Sequence, residues 1–98
     1  MTRPITFHEA AALEVTDAAG FYERECPGLG ATFLDEVQIA LHTLGEFPEG
    51  APLLRGRLRR KVLLRFPYIL MYSVRAGQIR ILAVAHEKRR PFYWRERQ

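Results

Sequence analysis

At 98 residues, 48% of them apolar and 27% charged, the chain has the size of one compact domain spanning 1–98, too short for a multidomain enzyme. Its net charge of +4 is unevenly placed: residues 1–49 hold nine acids against two bases, and residues 50–98 hold thirteen bases against two acids. The basic half would attract polyanions or an acidic protein. A membrane span is excluded, since the apolar stretches 68–72 and 81–85 fall far short of ~20 residues.

No charged-then-apolar leader opens the chain and the single Cys26 can form no internal disulfide, so a cytoplasmic protein is expected. Ile5 and Phe7 stand at strand spacing, and Thr6-Phe7-His8-Glu9 has the form of a capping box that would start a helix. On that helix Ala11, Val15, Ala18 and Tyr22 share a narrow stripe flanked by Ala12 and Ala19, while Glu9, Glu14, Asp17, Glu23 and Arg24 point elsewhere. Leu13 and Phe21 lie off the stripe. Pro27-Gly28 interrupts the helix, and a second one begins near residues 29–31. Its apolar face holds Phe33, Leu34, Val37, Ala40, Leu41 and Leu44, with Ile39 out of place, and Gly45 and Pro48 close it. The short connection implies an antiparallel helical hairpin.

Beyond a loop at 49–52 the period changes to two: Leu58, Val62, Leu64 and Phe66 alternate with Arg57, Arg59, Lys61 and Arg65, which predicts a strand with one oily and one basic face. Residues 68–74 are apolar on both parities, as in a central strand, Arg75-Ala76-Gly77-Gln78 reads as a hairpin turn, and residues 79–86 return. The tail 87–98 mixes arginines with Phe92, Tyr93 and Trp94. The predicted order β-α-α-β-β-β gives an α+β domain, with two helices on one face of a small, mainly antiparallel sheet.

Few side chains could carry chemistry. Ser73, the sole serine, falls inside a central strand pattern, and Pro27-Gly28-Leu29-Gly30 lacks the length and the Lys-Ser/Thr of a phosphate loop. His8, His42 and His86 fall in three different elements without companions at ligand spacing, so neither a metal nor another cofactor is expected. What remains is the basic strand face with the cluster His86, Lys88, Arg89, Arg90, Tyr93 and Trp94. Cations neutralise phosphates and aromatic rings stack on unpaired bases, so this set suits RNA binding or metal-free RNA cleavage. For cleavage, His86 and Tyr93 would be acid and base, and Arg65 or Arg89 the cation holding the phosphorane. The alternative is a solvated basic face with Tyr93-Trp94 as a tail anchor.

Phe7-His8-x-Ala10, Phe21-Tyr22-Glu23, Pro27-Gly28-Leu29-Gly30-x-x-Phe33-Leu34-Asp35-Glu36-Val37, Arg65-Phe66-Pro67-Tyr68-x-x-x-Tyr72 and Ala83-Val84-Ala85-His86-x-x-Arg89-x-Pro91-x-Tyr93-Trp94 together resemble the RelE/ParE toxins of bacterial type II toxin–antitoxin systems, often called plasmid stabilisation proteins. The resemblance covers nearly the whole chain. It implies a growth-inhibiting toxin held in a hetero-oligomer by a cognate antitoxin, and two modes of action: cleavage of messenger RNA at the ribosome, or poisoning of DNA gyrase. Ribonuclease members commonly carry an arginine just after the first tyrosine of the Tyr-x-x-x-Tyr strand, where this chain has Ile69. The Arg-Phe-Pro-Tyr and Pro-x-Tyr-Trp blocks look closer to the ParE-type branch, so gyrase inhibition is the first expectation. The alternatives are a ribonuclease using Arg65, His86, Arg89 and Tyr93, or a non-toxic decayed member. Under this resemblance Arg57, Arg59, Lys61, Lys88, Arg90 and Trp94 would contact the target or nucleic acid. Leu13, Phe21 and Ile39 would meet the antitoxin, whose partly disordered segment orders on binding.

Overall fold

A computed structural model of the chain describes residues 3–90 and 92–98. Its elements are β1 (Ile5–Phe7), α1 (Glu9–Glu25), α2 (Leu29–Glu46), β2 (Leu53–Arg55), β3 (Leu58–Val62), β4 (Tyr68–Arg75) and β5 (Gln78–His86). The α1 stripe buries Ala11 and Ala18, and α2 buries Phe33, Val37, Ala40 and Leu44. Leu34 departs from its predicted face and is exposed. The capping box does not form. Thr6 belongs to β1, and His8 caps α1 instead, its Nδ1 accepting the Ala10 N–H at 3.0 Å.

The helical hairpin is locked by an acid and a glycine. The Glu23 carboxylate, near the end of α1, accepts the backbone N–H groups of Gly28 at 3.0 Å and Gly30 at 3.1 Å. A negative charge thus meets the positive end of α2. Gly28 takes φ +91° to make the turn, and a Cβ on Gly30 would stand 2.6 Å from the Ala19 carbonyl oxygen, so the two helices can approach this closely only over a glycine.

The sheet order is β1-β5-β4-β3-β2, with β1 parallel to β5 and all other neighbours antiparallel. The fold is therefore α+β as expected, with one strand more than the sequence pattern gave. β2 was hidden because three residues, Leu53-Leu54-Arg55, are too few for a period to register. Opposed residues of an antiparallel pair share a face, so Tyr72 with Ile81 and Leu70 with Val84 form the floor under the helices. All four are essentially inaccessible, and the Tyr72 hydroxyl donates to the Pro48 carbonyl at 2.8 Å.

β3 corrects the sequence reading twice. The alternating segment ends at Val62 rather than running to Phe66, because the chain bends before Pro67, which has no N–H for a ladder. The bend inverts the expected parity: Leu63 is buried while Leu64 is 89% exposed. The oily and basic faces also lie opposite to intuition. Arg59 and Lys61 pair with Tyr72 and Leu70 on the helix side, whereas Leu58 and Val62 pair with Ser73 and Ile69 on the open side. Alternation states which residues share a face, but not which face the helices cover.

The β4–β5 hairpin turns through Ala76 at φ +52° and Gly77 at φ +76°. Two successive positive φ values are those of a type I′ turn, and a Cβ in that region costs roughly 1–2 kcal/mol. Replacing Ala76→Gly is therefore expected to stabilise the fold by about 1 kcal/mol, read as a raised urea midpoint with unchanged slope.

Candidate functional site

β1 is only three residues long, so it covers β5 from Ile79 to Ile81 and leaves the rest of that edge without a strand. Side chains take over from there. Glu14 of α1 accepts the Val84 N–H at 2.9 Å. The same carboxylate accepts the Tyr93 hydroxyl at 2.7 Å and both terminal nitrogens of Arg97 at 2.9 and 3.1 Å. Arg97 also donates to the Leu82 carbonyl at 3.1 Å. One carboxylate thereby ties helix, sheet edge and C-terminal tail together. Glu14 and Arg97 are both mostly buried, a setting in which charge-assisted bonds are stronger than at the surface.

The tail held this way crosses the open face of the sheet. Trp94 is buried there, at 2% exposure, beside Ile69, Met71 and Ala85. Next to it lies a groove of about 330 Å³ whose lining includes Arg60, Val62, His86, Arg89, Arg90 and Tyr93. The Arg89 guanidinium lies 4.0 Å above the centre of the Tyr93 ring, and that of Arg97 lies 5.0 Å from it. Burial, followed by the bond to Glu14, pushes the Tyr93 phenol well above its ordinary value. The hydroxyl proton is directed at Glu14, so Tyr93 is poorly placed to act as a base or to release that proton to a substrate.

The four residues expected to carry catalysis divide accordingly. His86, Arg89 and Tyr93 share the groove, while Arg65 does not line it. The Arg65 Nε and backbone N–H both donate to Oε1 of Glu36, at 3.1 and 3.0 Å, a carboxylate buried on α2. His86 accepts the Lys88 N–H on Nδ1 at 3.1 Å, and its ring meets the Tyr68 ring edge to face at 5.3 Å. Of the residues expected to contact a target, Arg57, Lys88 and Arg90 are exposed. Arg59 is committed internally, donating to the carbonyls of Ala51 at 2.7 Å and Glu49 at 3.2 Å, and so pins the connection between α2 and β2. Lys61 is half-buried beside Phe47 and Leu53. The burial of Trp94 leaves no ring face for a base to stack on. Pro91 lies outside the described residues.

Leu13, Phe21 and Ile39 are all about half exposed on the two helices, joined by Leu34 and by Phe47 at 65%. Sequence reasoning missed Glu14 and Glu36. Each is an acid on an amphipathic helix, where a solvated side chain is the ordinary reading, and their partners stand far along the chain. No helix is long and apolar enough to cross a membrane, among the described residues. The groove offers apolar contact and positive charge, which suits binding more than acid–base work.

The family described as ParE toxin of type II toxin-antitoxin system, parDE, matches the chain over residues 5–91, leaving Tyr93, Trp94 and Arg97 outside the matched span. Among solved structures, a chain of the chromosomal ParDE TA system from P. aeruginosa superposes with a TM-score of 0.75 at 17% identity, over 87% of this chain and 96% of that one. At that identity the likeness speaks for the fold. No curated protein is significantly similar to the chain in sequence.

Proposed function

Since the chain belongs to the ParE toxin family of type II toxin–antitoxin systems, we propose that it inhibits growth in the cytoplasm by binding DNA gyrase, and that a cognate antitoxin neutralises it. The observation that carries the non-catalytic reading is the engagement of the would-be catalytic groups. Tyr93 is bonded to Glu14 and Arg65 to Glu36. Ile69, where ribonuclease relatives carry a cation, is buried beside Trp94. That leaves His86 alone of the expected acid–base pair in the groove, beside the Arg89 cation, where cleavage calls for an acid and a base together, whereas surface complementarity needs neither. The antitoxin reading is supported by the exposed apolar side chains Leu13, Phe21 and Ile39, which suit a segment that orders as it docks.

The test is induction of the protein alone, following amino-acid incorporation and plasmid supercoiling over the first minutes, beside a His86→Gln variant. An early supercoiling defect with translation initially intact, retained by the variant, is expected. A prompt collapse of incorporation that His86→Gln abolishes would identify a ribosome-dependent ribonuclease instead. Purified gyrase supplies the direct check, since supercoiling unaffected by the protein would remove gyrase as the target.

A further inference from the structure

At the opposite end of β4 and β5 from His86, the hairpin turns of β2–β3 and β4–β5 lie side by side around a second groove of about 710 Å³, one side of which is lined by Arg97. Its lining includes Arg57, Ser73, Arg75, Gln78 and Arg80, and contains neither a carboxylate side chain nor an aromatic ring. The length of β4 separates His86 from the hairpin turns: Tyr68 pairs with His86 at one end and Arg75 with Gln78 at the other. Seven strand steps put them on the order of 24 Å apart.

The arginines differ in how they are held. Arg80 is fixed by bonds from Nε to the Gln98 main-chain oxygen at 2.9 Å, and from Nη1 to Thr6 Oγ1 at 3.1 Å and the Phe7 carbonyl at 3.2 Å. Its Nη2 has no partner among the described residues, so the guanidinium is set in place with a donor to spare. Arg57 and Arg75 are exposed, and their side chains make no hydrogen bond or ion pair among the described residues. Arg57 adjoins Leu58, which pairs with Ser73, and Ser73 pairs in turn with Arg80. The three cations therefore sit on the β2–β3 turn, the end of β4 and β5, a row about 10 Å wide.

We infer that this arginine row at the hairpin end of the sheet is a second binding surface, one that takes the phosphate backbone of duplex DNA. Two unpartnered cations, Arg57 and Arg75, beside a third that keeps one donor to spare call for a polyanion, and a duplex presents about six phosphate charges along 10 Å of its axis. Single-stranded RNA is disfavoured because the groove has no aromatic platform for unpaired bases. Such contacts hold the backbone without reading sequence, so moderate, strongly salt-dependent affinity is expected. The inference does not rest on the gyrase reading.

Fluorescence anisotropy of the full chain decides it, with a mixed-sequence duplex, an RNA single strand of equal length and a polyglutamate peptide, across a salt series. Tightest binding to the duplex is expected, with log affinity falling against log salt at a slope near −3, about −0.9 per phosphate contact. The double variant Arg57→Glu, Arg75→Glu should weaken duplex binding at least tenfold and reduce the slope by about 2. Lys88→Glu with Arg90→Glu, at the other end, should leave both values unchanged. Circular dichroism confirms that each variant is folded. Tighter binding to RNA or polyglutamate overturns the inference, as does duplex binding that only the Lys88 and Arg90 changes weaken.

Discussion

Replacing Glu14→Ala is expected to release the C-terminal tail and to cost about 3 kcal/mol of stability. The carboxylate accepts four hydrogen bonds, from Val84, Tyr93 and both terminal nitrogens of Arg97. Removing one partner of a mostly buried charge pair leaves the other desolvated and uncompensated, which is the expensive way to break it. Here the orphan is Arg97, with the Val84 N–H and the Tyr93 hydroxyl beside it. Glu14→Gln retains an acceptor but loses the charge, so it should fall between the two. Urea unfolding reads the stability. Limited trypsin digestion reads the tail, because Arg89, Arg95 and Arg97 should become cleavable well before the helices do. Since the tail closes one wall of the groove proposed to meet the target, growth inhibition should fall in parallel. A variant as protease-resistant as the parent would refute this role for Glu14.

Alkali should unfold the protein cooperatively, and the four tyrosines should report it. Tyr22, Tyr68, Tyr72 and Tyr93, all the tyrosines of the chain, have phenols raised above the usual value of 10.0, each first by burial. A raised phenol favours the folded state while it stays protonated. That contribution is complete below pH 10, declines once the unfolded chain begins to ionise there, and is gone when the pH has passed the folded values. Tyrosinate absorbance and circular dichroism followed together should therefore show little ionisation of the native protein near pH 10. A steep joint transition should come at higher pH. Phenols that titrate near 10 with the far-ultraviolet spectrum intact would contradict the burial argument.

Much of this architecture is legible in the sequence, and the losses have physical causes. The Ala11, Ala18 stripe and the Phe33, Val37, Ala40, Leu44 face are recovered because a helix buries by its own period. The hairpin at Ala76-Gly77 is recovered because turn chemistry is local. The identity of the helix cap is lost, since Thr6 is the preferred cap by residue type and only its place in β1 hands the role to His8. At the site, local sequence places His86 at the end of β5 and Arg89 in the tail that follows. It cannot reveal that Tyr93 and Arg65 are already spoken for, because the acids that bind them, Glu14 and Glu36, lie 79 and 29 residues away. Nor does it reveal that Trp94 faces inward.

The parallel pairing of β1 with β5 joins Ile5 to Ile79, and Glu14 meets Arg97 across 83 residues. Contacts so distant in sequence raise the contact order, and loop closure must precede any stabilisation they give, so the last stage of folding is the slow one. At a synthesis rate of about 5–20 residues per second, the N-terminal strand and first helix wait on the order of 4–17 s for their partners to be made. A nascent chain that stops before β5 has no strand for β1 and no anchor for Glu14. The two grooves of the sheet thus come into being only after β5 and the tail have been synthesised, which delays any activity they support until the chain is essentially whole.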